Sequence, residues 1–76
     1  MKKYQIILLI LLWVVIDKSY KPPTWCDMER WSYTIQNEQG ERGQVEDFDG
    51  TIIVGDQVEF IQKQQGWNNY VGLKRK

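Results

Sequence analysis

Eleven consecutive apolar residues, Ile6 to Ile16, follow a basic N-terminus carrying Lys2 and Lys3, and a 76-residue chain has few ways to hide them. A positive start followed by a short apolar stretch is the layout of a targeting segment. The run is apolar all round a helix, so it does not read as an amphipathic surface helix. Two readings compete. A cleaved signal peptide needs small residues at its cleavage site. Here Asp17, Lys18, Ser19 and Tyr20 follow, and the chain has no alanine. A lipoprotein needs small residues before its cysteine, but Cys26 follows Pro22, Pro23, Thr24 and Trp25. An uncleaved anchor is therefore favoured. Tyr4 to Ile16 spans 13 residues, or roughly 20 Å of helix, against a usual requirement of about 17–25 residues. Lysine flanks must then snorkel, with Tyr4, Trp13, Tyr20 and Trp25 at the membrane interfaces. Lys2 and Lys3 favour a cytoplasmic N-terminus and an extracytoplasmic remainder. A secreted or periplasmic location after cleavage is the alternative.

Composition bounds the chemistry. There is no histidine and a single cysteine. The commonest acid/base and metal ligand is thus missing, and neither an internal disulfide nor a multi-cysteine metal site can form. Residues 17–76 hold eight basic and ten acidic side chains. That balance disfavours nucleic acid as a partner. Cys26 reads as a buried or unremarkable thiol or as a link to a second chain, so a disulfide-linked or non-covalent oligomer is open.

The organisation expected is a signal-anchor over 1–18, a Pro-containing connector over 19–29 and a small antiparallel β domain over 30–76. Pro22-Pro23 stops any helix and stiffens the connector. Trp31, Tyr33 and Ile35 then alternate along one face of a strand. Asn37 to Gly40 is a turn, Gln44 to Phe48 a second strand, and Asp49-Gly50 a hairpin dipeptide. Thr51 to Val54 reads as a third strand and Val58 to Phe60 lies in a fourth. Gln64-Gln65-Gly66 turns again, and Tyr70, Val71 and Leu73 form the last strand, interrupted by Gly72. Short connections force antiparallel pairing, so the fold class is α+β: one apolar helix and a β-meander.

Three short motifs bear on function. Asp47-Phe48-Asp49-Gly50-Thr51 resembles the first motif of haloacid-dehalogenase-type phosphatases, in which the first Asp is the nucleophile. The large α/β domain of that family has no room in the 25 residues after Thr51, so the motif reads as a hairpin. The same stretch mimics an EF-hand loop, but Val45 stands at its first ligand position and Asp56 at its last. No cofactor or metal is expected. Gly55-Asp56-Gln57-Val58-Glu59-Phe60, Gly66-Trp67 and Tyr70-Val71-Gly72 together resemble the strands of SH3-like modules. That resemblance implies a barrel whose Trp67, Asn69 and Tyr70 line a partner groove.

The function expected is non-enzymatic: a membrane-tethered binding or accessory protein. It would be a small subunit of a membrane complex, or a phage or mobile-element modulator of an envelope protein. A secreted β-domain binder or inhibitor is the alternative, and a membrane-perturbing toxic peptide a third class.

Overall fold

The computed structural model describes residues 12–76, and these form a five-stranded antiparallel sheet. The strands are β1 (Trp13–Lys21), β2 (Arg30–Asn37), β3 (Arg42–Asp47), β4 (Gln57–Gln65) and β5 (Asn68–Arg75). Their order across the sheet is β3-β2-β1-β4-β5.

β1 corrects the expected organisation. The helix predicted over 1–18 gives way at Trp13 to the central strand of the sheet, which continues through Ser19–Lys21 of the expected connector. Residues 1–11 of the predicted helix, with Tyr4, lie outside the described residues. No helix among the described residues is long and apolar enough to cross a membrane. The physical reason lies in the residue types. Trp13-Val14-Val15-Ile16 is β-branched and aromatic, which fits a pleated surface as well as a lipid-facing helix. Paired on both edges, the segment satisfies its backbone groups. Val15 is 1 % exposed at the centre of the core.

β1 is kinked. Val15 opposes Ile35 and Asp17 opposes Thr34, which leaves Ile16 as an extra residue, a β-bulge. Such a bulge bends a strand and increases its twist. Beyond it β1 pairs with β2 alone, whereas Trp13 and Val14 pair with Val58 and Gln57 of β4. Val15 extends that seam through its N–H to Asp56 O (3.0 Å) and by accepting from Gly55 N (2.8 Å).

β1, β2 and β3 form a meander, and β4 and β5 a hairpin. The expected third strand, Thr51 to Val54, lies instead in the β3–β4 loop (residues 48–56). This loop carries the chain between strands that are not neighbours, so Asp49-Gly50 closes no hairpin. The loop is pinned by Tyr33 Oη donating to Asp49 O (2.6 Å) and Lys18 Nζ donating to Gly50 O (2.7 Å). Ile52 plugs the interior beside Val15, Tyr33, Ile35, Val58 and Leu73, with Trp13, Trp31 and Val45 packed around them. The alternation of Trp31, Tyr33 and Ile35 into the core is as expected.

β3 and β5 stand at opposite ends of the strand order, yet they approach one another. The sheet therefore curls. Gly72 is the residue that permits the approach: a Cβ there would lie 2.6 Å from Asp47 Oδ2.

Candidate functional site: an aromatic groove at one end of the sheet

The strand directions give the sheet two distinct ends. One holds the start of β1, the β2–β3 turn, the end of the β3–β4 loop and the end of β5. The other holds the β1–β2 loop (residues 22–29) and the β4–β5 turn. The length of β1 separates them, roughly 30 Å at about 3.3 Å per residue.

At the loop end a groove of about 340 Å³ runs between Cys26, Asp27, Met28 and Arg30 on one side and Gln65, Gly66, Asn68 and Tyr70 on the other, with Phe48 between. Its two walls touch where Gln65 Nε2 reaches Met28 Sδ at 3.5 Å. Trp25 precedes Cys26, and Trp67 follows Gly66. Both indoles are 97 % exposed. Gly66 has φ +62°, a conformation glycine adopts without steric cost, and the tight turn it makes thrusts Trp67 outward.

Beneath the groove, Phe48 and Tyr70 pack edge to face, 5.4 Å between centroids. The Tyr70 hydroxyl donates to Asp47 Oδ1 at 2.9 Å. Burial, and then this bond to a carboxylate, push the Tyr70 hydroxyl up to about 12. Asp47 is 1 % exposed. It also accepts from Lys63 Nζ (2.7 Å), Leu73 N (2.9 Å) and Asp49 N (3.0 Å). Burial alone would raise its carboxyl pKa. The four donors outweigh burial and hold it below the usual carboxylate range.

The charges around the groove are consumed by one another. Arg30 lies 3.9 Å from Asp27 and 3.0 Å from Glu46 Oε1, the latter an ion pair whose angle falls short of a hydrogen bond. Glu46 also meets Lys21 at 2.6 Å, which holds its carboxyl low. The lining thus offers aromatic faces, a thioether, a thiol and the amides of Gln65 and Asn68.

The residues singled out from sequence fall as follows. Trp67 stands beside the groove and Tyr70 lies in its floor. Asn69 does not line it; strand alternation gives that place to Asn68. The aromatic residues expected at membrane interfaces divide. Trp13 lies at the β1 start and packs on Phe60, 5.7 Å between centroids. Tyr20 leans on Trp31 near the other end, and its hydroxyl donates to Glu29 at 2.8 Å. Trp25 lies beyond it, in the loop. Cys26 is an exposed thiol in the groove wall, which corrects the expectation that it is buried. Missed altogether were Met28, Phe48, Gln65 and Asn68. Only the topology, which brings two remote loops together, could have joined them.

Both carboxylates of the Asp47-Phe48-Asp49-Gly50-Thr51 stretch are engaged within the fold. Asp47 is saturated by donors, and Asp49 accepts from Thr51 N (2.9 Å) and Thr51 Oγ1 (2.7 Å). Asp56 accepts from Ile53 N (3.0 Å) and Arg75 Nε (2.8 Å). Among the described residues no cluster of three or more carboxylates, cysteines or histidines could hold a metal ion. Comparison with protein-family models, with curated proteins and with solved structures yields no match to this chain.

Proposed function

We propose that this protein is a non-enzymatic binding module, held at a membrane by its N-terminal apolar segment, that grips a protein partner in the groove between the β1–β2 loop and the β4–β5 turn. One observation carries the reading: two fully exposed indoles stand on two different loops beside one shared groove. Burying so much apolar surface against a partner is the strongest gain open to them. Trp, Tyr, Met and Arg are the residue types enriched in the energetic centres of protein interfaces. The groove has no uncommitted charge, so the partner segment it fits is uncharged and extended. Phosphate-bearing chains, which need unpaired cations, suit it poorly.

A second reading rests on connectivity. A curled sheet of order β3-β2-β1-β4-β5, with a bulged first strand and β3 near β5, has the strand connectivity of the OB-type Greek-key barrel. That describes this sheet more closely than the SH3-like barrel. In OB barrels the corresponding two loops bind oligonucleotides and oligosaccharides. The amides of Gln65 and Asn68 with flanking indoles suit an uncharged oligosaccharide. Fold analogy alone is a weak warrant, so this reading stands second.

Photo-crosslinking from Trp67 and Trp25 positions in cell envelopes tests the first reading. A discrete protein adduct from either position, lost when the other tryptophan is replaced by alanine, is the result expected. A quenched, blue-shifted tryptophan emission on adding neutral oligosaccharide, with no protein adduct, would favour the second.

A further inference from the structure

The loop that builds one wall of the aromatic groove also carries a segment of the kind that groove fits. Pro22-Pro23-Thr24 is uncharged, exposed and outside every strand. Consecutive prolines hold the chain extended and bring no N–H groups, so carbonyl acceptors are the main polar groups they offer, and little entropy is lost on docking. The groove is complementary. The exposed indoles of Trp25 and Trp67 donate only, and the Asn68 amide adds further N–H donors. Aromatic walls of this sort receive proline rings against their faces and carbonyls on their N–H groups. In its own chain the segment stays outside the groove. Thr24 N donates to Asp27 O (2.9 Å), and Thr24 Oγ1 accepts from Asp27 N (3.0 Å). This turn closes the loop between the prolines and the wall, and neither proline lines the groove.

We propose that the occupant of the groove is a second copy of this chain, the Pro22-Pro23 segment of each protomer lying in the groove of the other. This rests on the reading above that the groove grips a protein, and it names that protein. Such a pairing is isologous, one patch meeting itself about a two-fold axis. The prolines precede Cys26 and the wall residues Met28 and Arg30 follow it, so the axis passes close to Cys26 and brings the two thiols together. The charges permit the patch to meet its own copy. Lys21 and Arg30 are matched by Glu46 and Asp27, and Glu29 accepts from the Tyr20 hydroxyl. No field of one sign faces itself across the axis. The area also suffices. A buried aromatic side chain covers ~150–250 Å², so two indoles supply about half of the ~800 Å² per partner of a standard interface. The exposed halves of Tyr20 and Met28, the prolines and the groove walls supply the rest.

The test uses the full chain in dodecyl maltoside micelles. Light scattering gives the oligomeric state, a short bis-maleimide links Cys26 to Cys26, and far-UV circular dichroism follows the sheet. The wild type should be a dimer that cross-links at Cys26. Pro22→Ser/Pro23→Ser removes the segment and Trp67→Ala a groove wall, both at exposed positions, so the β spectrum should be retained. Each variant should weaken the dimer about tenfold or more, the effect of losing a central aromatic contact. Mixing the two variants, one of them tagged, should restore cross-linking between them, because the mixed pair keeps one intact segment in one intact groove whereas neither parent keeps any. A monomeric wild type, a dimer that survives either variant, or a mixture no more cross-linked than its components would each overturn the proposal. The groove reading fails separately. A monomer whose Trp67 photo-adduct in envelopes contains a different protein removes the self-pairing and leaves that reading standing, whereas a monomer with no protein adduct removes both.

Discussion

Replacing Asp47 with asparagine should come close to unfolding this protein. The carboxylate is the buried link between β3 and the β4–β5 hairpin, and it accepts from Lys63 Nζ, Tyr70 Oη, Leu73 N and Asp49 N. The amide that replaces it would keep one oxygen. Its N–H₂ group would be turned either on Leu73 N–H and the Lys63 ammonium or on Tyr70 Oη and Asp49 N–H. Hydrogen bonds involving a charged group contribute ~1.5–3 kcal/mol each, and removing one partner of a buried ion pair costs ~3–5 kcal/mol. Lys63 is partly solvated and has Asp49 Oδ2 at 3.9 Å as a fallback. The low end of that range therefore applies, about 3 kcal/mol. For the 65 described residues, a total stability of about 3–10 kcal/mol is typical at ~0.05–0.15 kcal/mol per residue. The loss is then between a third and all of the stability. Urea unfolding followed by tryptophan emission measures it, with Lys63→Met and the double variant closing a cycle. Lys63→Met should cost less than Asp47→Asn, and the double variant less than their sum. A loss below about 1 kcal/mol for Asp47→Asn, the size of one ordinary hydrogen bond, would refute the idea that this carboxylate closes the sheet.

Acid should act through the same residue. The folded pKa of Asp47 is depressed, so its contribution is present above the unfolded value near ~3.9 and is lost as pH falls through the lower folded value. The acid limb of a stability–pH curve should accordingly flatten in Asp47→Asn. Tyr33 and Tyr70 are both raised to about 12, first by burial. Their contribution is complete below pH ~10 and lost as pH rises through the folded value; absorbance at 295 nm should show Tyr33 and Tyr70 ionising late, together with unfolding. Gly72→Ala should destabilise by about 1–3 kcal/mol, because its Cβ would overlap the Asp47 carboxylate, and a thermal midpoint within a degree of wild type would argue against the β3–β5 approach. Val15→Ala, by opening a cavity at the centre of β1, should cost about 2 kcal/mol in urea unfolding.

Four of the five strands lie where alternation and turn residues place them. Trp31, Tyr33 and Ile35 repeat with period two, and Gly40, Gly55 and Gly66, the positive-φ glycines, fall in the breaks anticipated. The failure at β1 has a definite cause. A continuous apolar run of β-branched and aromatic residues is compatible with a buried strand or a helix, and length is the usual arbiter. Here the last four residues of the run, Trp13 to Ile16, belong to the central strand, so the length of the run was no guide to their structure. Thr51 to Val54 failed in the opposite way. Its β-branched residues promised a strand, but the pinned β3–β4 loop uses Ile52 as a plug. The groove was half legible. Trp67 and Tyr70 could be named as surface and floor, whereas Met28 and Phe48 owe their place to a strand order that no local pattern encodes.

The place of Trp13 to Ile16 in the sheet also bears on the readings of the N-terminus. A signal cleaved after Ile16 would remove the half of β1 that bears Val15 and the β4 ladder, leaving the β4–β5 hairpin with little more than the Asp47 link to hold it. A spanning helix would take the same residues. Only an attachment that ends before Trp13, or a cleavage there, leaves the central strand in the sheet. The residues that make this N-terminus look like a membrane anchor are thus the ones the fold can least spare, and the aromatic groove depends on their staying in the sheet, because β1 holds its two walls together.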